Sequence, residues 1–281
     1  MQLNTKRLKK IYLGTTINSK MKLDMKNILV IGLGSMGYGI AESLIRSGYK
    51  VFGQDKNPAQ EKKIVEDGGF LTDIPYTNLD AVIIVVLNES QTREIIFGSD
   101  GIAGKLKKGT LIMVCTTVSP SFAKEMGSNC KNIDLLYLDA PISGGAKKSS
   151  EGKLSYMVSG NKDALSKARP ILNATSETVF EFGDVIGAGS AMKAVNQMLA
   201  GVHIAAMAEA ITFGITQGIE PKRFLEVISK CAGTSWMLEN RAPHIIDDDY
   251  SPKSSINIWP KDLGIVLDIA KNSNFSAPLT N

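Results

Sequence analysis

The chain has 281 residues, of which 43% are hydrophobic and 21% charged, as is typical of a globular protein with one large or two ordinary domains. The formal net charge is +4, but residues 1–23 contain six basic residues and no acidic one. Elsewhere 26 basic residues nearly balance 28 acidic ones. This distribution lacks the basic surface of a nucleic-acid-binding protein, so we expect no nucleic-acid partner.

The first 26 residues form a basic tail that we expect to be disordered, because it cannot bury a hydrophobic face. A targeting peptide is the alternative, although the tail is rich in lysine rather than arginine. The three cysteines and two histidines lack the spacing of metal ligands, which predicts no metal and a reducing, cytoplasmic compartment. Apolar runs such as 81–87 are too short to span a bilayer, so we expect no membrane association.

Residues 27–55 begin the folded chain with an apolar strand, a glycine-rich turn, a helix over about 36–47 and a second strand ending at Asp55. This pattern predicts a βαβ unit. Apolar runs at 81–87, 110–116 and 134–140 follow, separated by segments long enough for helices. The alternation predicts a doubly wound α/β domain of the Rossmann type over 27–186, with strands at 153–160 and 177–184 extending the same sheet.

From residue 187 the pattern changes to helical periodicity, which continues to about Gln217. Pro221 is predicted to open the next helix, and 235–246 and 261–273 are predicted to form two more. The sequence therefore predicts an all-helical domain over 187–281, built on a long helix that starts at the domain junction.

The glycine-rich turn has the spacing of a dinucleotide-binding loop. Gly32, Gly34 and Gly37 follow a strand and open a helix, which allows backbone N–H groups to approach a pyrophosphate. Asp55 ends the second strand, where a carboxylate binds the ribose hydroxyls and repels a 2′-phosphate. These features predict an NAD site, although Lys56 weakens the discrimination against NADP. An ordinary glycine turn is the alternative.

The sequence DAPISGG (139–145) follows the last predicted parallel strand, at the sheet edge where such domains bind ligands. Ser143 offers a hydroxyl, and Gly144 and Gly145 offer unobstructed N–H groups for a carboxylate. Taken by itself, the segment favours the alternative interpretation, an ordinary glycine loop. Phosphoryl transfer is not expected, because Lys105 lacks the following hydroxyl of a phosphate-binding loop.

Three polar residues lie in the first turns of the long apolar helix. Lys193, Asn196 and Gln197 are three and four residues apart, so they share one face. An apolar environment destabilises the cationic form of a lysine, which makes Lys193 a candidate proton carrier near neutral pH. A solvated first turn is the alternative interpretation.

Four motifs together resemble the β-hydroxyacid dehydrogenase family, which includes 3-hydroxyisobutyrate dehydrogenase and tartronate semialdehyde reductase. They are GLGSMG (32–37), DAPISGG (139–145), GAGSAMKAVNQ (187–197) and KDL (261–263). The segments 196–210 and 232–252 are most similar to the subgroup that oxidises the four-carbon sugar acid L-threonate. The resemblance implies an NAD-dependent hydroxyacid dehydrogenase. A catalytically silent cofactor-binding module is the alternative from another functional class.

The resemblance also implies the roles of individual residues. It makes Lys193 catalytic, the Ser143-Gly144-Gly145 turn substrate-binding, and Asn196 and Gln197 partners of the lysine and the substrate. The cofactor-binding set that it implies is Gly32, Leu33, Gly34, Ser35, Met36, Gly37, Asp55, Leu87, Asn88, Thr117 and Lys261. The family's helical domain forms dimers or tetramers and continues for a few tens of residues beyond the segment FSAPLT. We therefore expect a homo-oligomer whose helical domain is shortened here.

Overall fold

The computed structural model describes residues 27–71, 74–251 and 257–281. The predicted disordered tail (1–26) lies outside the described residues, so its expected disorder stays a prediction.

A five-stranded parallel sheet occupies the N-terminal part of the chain. Its strands are β1 (Asn27–Ile31), β2 (Lys50–Gln54), β3 (Ala81–Ile84), β4 (Leu111–Val114) and β5 (Leu136–Asp139). They lie in the order β2-β1-β3-β4-β5, with Ile28 of β1 opposite Val51 of β2 and Ala81 of β3. The connection from β2 to β3 crosses β1, so the crevice between β1 and β3 opens at the carboxyl ends of the strands.

Helices connect these strands and cover both faces of the sheet. They are α1 (Gly37–Arg46), α2 (Pro58–Glu66), α3 (Glu89–Phe97) and α4 (Pro120–Lys131). Central strand residues such as Ile28, Leu29 and Ile83 are fully buried, because a parallel sheet covered on both faces has no solvated side. Alternate residues of each strand belong to different core clusters, one on each face. The predicted Rossmann-type fold is confirmed.

A second sheet follows β5. Its strands are β6 (Ile142–Ser143), β7 (Leu154–Val158) and β8 (Ser176–Glu181), with helices α5 (Gly145–Ser150) and α6 (Lys162–Thr175) between them. The prediction that the last two strands extend the first sheet was wrong, because they form a separate three-stranded sheet. The chain turns after Asp139 through Pro141 into β6, which pairs antiparallel with β7. One isolated bridge between Asp139 and Ser159 joins the two sheets.

After the second sheet, the described residues form only helices and their connections. The helices are α7 (Ala188–Thr216), α8 (Pro221–Ile228), α9 (Trp236–Ile246) and α10 (Ile258–Asn272). Pro221 occupies the first turn of α8, as predicted. The long helix α7 packs against α8, α9, α10 and β7. The domain boundary at 186/187 stays a prediction.

Helix α7 is long and apolar enough, by length and composition, to cross a membrane. It is longer than apolar runs such as 81–87, on which the expectation of no membrane association rests, and is an exception to that expectation. Its N-terminal turns pack against β5 and β7, and Lys193 is buried in its second turn. Length and composition are weak evidence here, because a core helix of a soluble protein passes the same test.

Candidate active site

A cleft of about 950 Å³ opens at the carboxyl ends of β1, β3 and β4 and reaches α7 and α10. It brings together eleven of the residues that the sequence predicted for the site. Those residues are Gly32, Gly34, Ser35, Met36, Gly37, Asp55, Leu87, Thr117, Lys193, Gln197 and Lys261. Residues from opposite ends of the chain thus share one cavity large enough for a dinucleotide and a small substrate.

The loop between β1 and α1 depends on its glycines. Gly32 has a φ of +92°, and a side chain there would overlap the carbonyl oxygen of Val85. A side chain at Gly37 would overlap the carbonyl oxygen of Gly32. Gly34, by contrast, has no protein atom within 4 Å of the position of a Cβ. Gly34 and the start of α1 line the same cleft, so the loop fits the pyrophosphate of a dinucleotide.

Asp55 follows β2 and is held in place by backbone groups. Its Oδ2 accepts a hydrogen bond from the N–H of Leu33 at 2.6 Å, and its Oδ1 accepts one from the N–H of Asn57 at 2.8 Å. Each carboxylate oxygen keeps a lone pair for a ribose hydroxyl. The side chain of Leu33 is fully buried in the core, so its backbone acts by positioning Asp55.

The loops after β3 and β4 form the opposite wall of the cleft. Leu87 is half exposed on this wall, whereas the side chain of Asn88 caps α3 by accepting a hydrogen bond from the N–H of Gln91 at 2.9 Å. Asn88 therefore shapes the loop and does not line the cleft. Tyr76 and Lys105 line the cleft as well. Neither was predicted, because no sequence motif connects them to the glycine loop.

Lys193 is 8% exposed, and what remains accessible lies in the cleft. Within the described residues it forms no hydrogen bond or salt bridge, so its Nζ is available to a ligand. Burial lowers the pKa of Lys193 to about 8, while the charge of Asp262 opposes this shift and that of Lys261 adds to it. The helix thus holds an amine that exchanges a proton near neutral pH.

The two amides near Lys193 form a chain of hydrogen bonds that ends on an acidic residue, Asp262. Gln197 Nε2 donates to Asp262 Oδ2 at 2.5 Å, and Asn196 Nδ2 donates to Gln197 Oε1 at 2.9 Å. Within the described residues neither amide forms a hydrogen bond to Lys193, because α10 places a buried carboxylate beside Gln197. Their implied role in ordering the lysine and the substrate stays a prediction. Asp262 is 2% exposed and was missed, although an acid among the apolar residues of α10 is a usable signal.

Lys261 connects the helical part of the chain to the sheet. Its Nζ donates to the carbonyl oxygen of Thr117, after β4, at 3.2 Å, and also pairs with Asp262. Lys261 therefore lies across one end of the cleft, between α10 and the loop that follows β4.

The Ser143-Gly144-Gly145 turn lies beside the cleft and does not line it; its neighbour Ile142 does. Gly144 and Gly145 have φ values of +133° and +74°, which favour glycine. Ser149, in the following helix, donates to the carbonyl oxygen of Met36 at 2.5 Å. The turn is thus attached to the same loop that forms the dinucleotide cradle.

Comparison with known proteins agrees with this geometry. A family model of the NAD binding domain of 6-phosphogluconate dehydrogenase matches residues 27–183. A second model, the NAD-binding region of NADP-dependent 3-hydroxyisobutyrate dehydrogenase, matches residues 187–281. The chain belongs to the β-hydroxyacid dehydrogenase family. It is an NAD-binding oxidoreductase that acts on a CH–OH group.

Individual relatives cover most of the chain. An L-threonate dehydrogenase from Cupriavidus necator is 43% identical, and the alignment covers 91% of this chain and 87% of the relative. The L-threonate dehydrogenase of Pectobacterium atrosepticum is 42% identical over 90% and 85% of the two chains. The crystal structure of a 3-hydroxyisobutyrate dehydrogenase from Salmonella typhimurium is 39% identical and superimposes with a TM-score of 0.85, covering 91% of this chain and 90% of that one.

Proposed function

We propose that this dehydrogenase oxidises a small hydroxy acid, L-threonate or a similar four-carbon sugar acid, with NAD as acceptor and Lys193 as general base. One observation carries the proposal: a buried lysine with a lowered pKa lies in the same cleft as a dinucleotide-binding loop. A silent cofactor-binding module has no need of such a lysine.

The cofactor would be held by the glycine loop and by Asp55, with Leu87, Thr117 and Lys261 around the rest of it. When bound, NAD accepts the hydride that leaves the carbinol carbon. The protein's contribution is to place the carbinol between the cofactor and Lys193 and to remove its proton.

Lys193 takes the hydroxyl proton on its Nζ as the O–H bond breaks and the carbonyl forms. Only the neutral amine has the lone pair for this step, and the low exposure of Lys193 keeps a useful fraction neutral. In the reverse direction, the ammonium form returns the proton to the carbonyl oxygen. The same residue therefore serves as base and acid in the two directions.

The substrate carboxylate is assigned to the Ser143-Gly144-Gly145 turn, whose backbone N–H groups and hydroxyl donate to an anion. Further hydroxyls of a sugar acid would meet Gln197, Asn196 and Asp262, a set that both donates and accepts hydrogen bonds. These three side chains favour a polyhydroxy acid over a methyl-branched hydroxy acid. A methyl group in place of a hydroxyl would leave their buried polar atoms without a hydrogen-bond partner on the substrate.

The substrate is tested by measuring NAD reduction with L-threonate, other four-carbon sugar acids, 3-hydroxyisobutyrate and L-serine. We expect the highest kcat/KM with a four-carbon sugar acid. 3-Hydroxyisobutyrate is the second candidate, because the similar Salmonella protein carries that name. Faster turnover of 3-hydroxyisobutyrate than of every sugar acid would contradict the assignment.

The role of Lys193 is tested by Lys193→Ala. Turnover should fall on the order of 10²- to 10⁴-fold, as for loss of a general acid/base, while the Kd for NADH stays nearly constant. Lys167→Ala is a matched control, because burial also lowers the pKa of Lys167, but this side chain contacts Gly109 outside the cleft. A near-normal kcat in Lys193→Ala would show that the proton leaves by another route.

The proposal extends to a cytoplasmic homodimer or homotetramer. Val195, Leu199 and Phe213 on α7 are at least half exposed, and an apolar surface of this kind favours association. Light scattering at several protein concentrations tests this, and a monomer at all of them would contradict it.

A further inference from the structure

Asp139, at the end of β5, is fully buried and binds the start of the helix that carries Lys193. Its Oδ2 accepts hydrogen bonds from the N–H groups of Gly187 and Ser190 at 3.1 and 2.9 Å. The hydroxyl of Ser190 donates to Oδ1 at 2.6 Å, and that of Ser159 donates to Oδ2 at 2.9 Å. Ser159 Oγ in turn accepts a hydrogen bond from the N–H of Gly189. Within the described residues, every group bonded to the carboxylate oxygens of Asp139 is a donor, as a carboxylate requires.

The first turn of α7 has no cap of its own. Gly187 stands at the N-cap position without a side chain to accept a hydrogen bond, so Asp139 supplies the acceptor from another element. Gly187 and Gly189 allow the start of α7 to lie close to the backbone of α4 and β7. A Cβ at Gly187 would lie 2.6 Å from the carbonyl oxygen of Pro120, and one at Gly189 would overlap that of Met157.

The position of Asp139 along the chain gives this cap a consequence for catalysis. Ser190 lies three residues before Lys193, so one helical turn separates the capped N–H from the lysine. Asp139 also lies four residues before Ser143, in the turn assigned to the substrate carboxylate. Asp139 thus joins the strand that leads into the substrate-binding turn to the first turn of α7, one turn before the lysine.

We propose that Asp139 is a positioning residue for the reaction, setting the place of Lys193 relative to the Ser143-Gly144-Gly145 turn by capping α7 from β5. The inference rests on the proposed role of Lys193. The positive end of the α7 dipole favours an anion at this point, so the carboxylate is suited both to holding the helix and to fixing its distance from the sheet. A displacement of about 1 Å at a reacting group costs up to about 100-fold in rate.

The test compares Asp139→Ala with Asp139→Asn in the full chain. The amide of Asn can accept the two backbone N–H groups through its oxygen and donate to Ser190 through its nitrogen, so it keeps the geometry that Ala loses. We expect Asp139→Ala to lower kcat about 10- to 100-fold, with the Kd for NADH within about twofold of the wild type. Asp139→Asn should recover most of kcat. Asp163→Ala, an exposed aspartate in the first turn of α6, should leave kcat unchanged.

All rates are measured well below each variant's Tm, so only folded protein is compared. If the role of Asp139 were purely structural, Asp139→Ala would lower the Tm and leave the kcat of the folded protein unchanged. That result would overturn the proposal, as would an Asn variant no better than Ala. If Asp139→Ala does not fold, Ser190→Ala decides: a fall in kcat with unchanged NADH binding supports the proposal, and an unchanged kcat overturns it. A normal kcat in Lys193→Ala would refute the proposed function itself, whatever the Asp139 variants show.

Discussion

The pH dependence of the reaction follows from the burial of Lys193. At pH 7 a lysine with the ordinary pKa of 10.5 is neutral in about one molecule in 3,000, whereas a pKa of about 8 leaves about one in ten neutral. The cleft therefore raises the population of the reactive amine about 300-fold. For oxidation, kcat/KM should rise with pH through a midpoint near 8, because only the neutral amine accepts the proton.

Two neighbours of Lys193 should move this midpoint in opposite directions. Asp262 raises the pKa of Lys193 and Lys261 lowers it. Asp262→Asn, which can keep its hydrogen bond from Gln197, should therefore shift the midpoint to lower pH, and Lys261→Met should shift it to higher pH. A nearby charge typically shifts a pKa by about one unit or more, and the Asp262 variant should show the larger change.

The assay follows NADH absorbance from pH 6 to 10 with the hydroxy acid varied at saturating NAD. The reverse reaction, started from the keto acid and NADH, should lose rate across the same pH range, because reduction needs the protonated lysine. Three results would refute the reasoning: a flat profile, shifts of the same sign in both variants, or a midpoint that Lys193→Ala leaves in place.

Further variants separate the parts of the site. The wild-type enzyme should have a higher kcat/KM with NAD than with NADP, and Asp55→Ser should bring the two values closer together. Equal kcat/KM values for NAD and NADP in the wild type would contradict the role of the Asp55 carboxylate. Gly37→Ala should lower the Tm of the protein without cofactor, because a Cβ there overlaps the backbone of Gly32. Gly34→Ala should leave that Tm unchanged and raise the Kd for NADH, since Gly34, unlike Gly37, has open space around its Cβ position. Titration and thermal melts distinguish these outcomes. Ser143→Ala should raise the KM of the hydroxy acid about fivefold, as for one lost hydrogen bond, with the KM of NAD unchanged.

Local features of the sequence determined much of the fold. The spacing of Gly32, Gly34 and Gly37 after an apolar strand predicted the loop between β1 and α1. Close backbone contacts admit only glycine at Gly32 and Gly37, and Gly32 also has a positive φ. Pro221 predicted the start of α8, since its fixed φ suits the first helical turn. Signals of this kind act over a few residues and need no knowledge of distant partners.

The tertiary structure alone decided how the site is assembled. Gln197 and Asp262 are 65 residues apart, so no local pattern predicts that the amide binds that carboxylate instead of Lys193. The separation of β7 and β8 from the first sheet likewise depends on the turn through Pro141 and on the pairing of β6 with β7. The sequence did determine that a lysine lies in an apolar helix. Its pKa depends on burial and on two charges carried by α10, and desolvation and Coulomb energies are set by distances that exist only once the chain has folded.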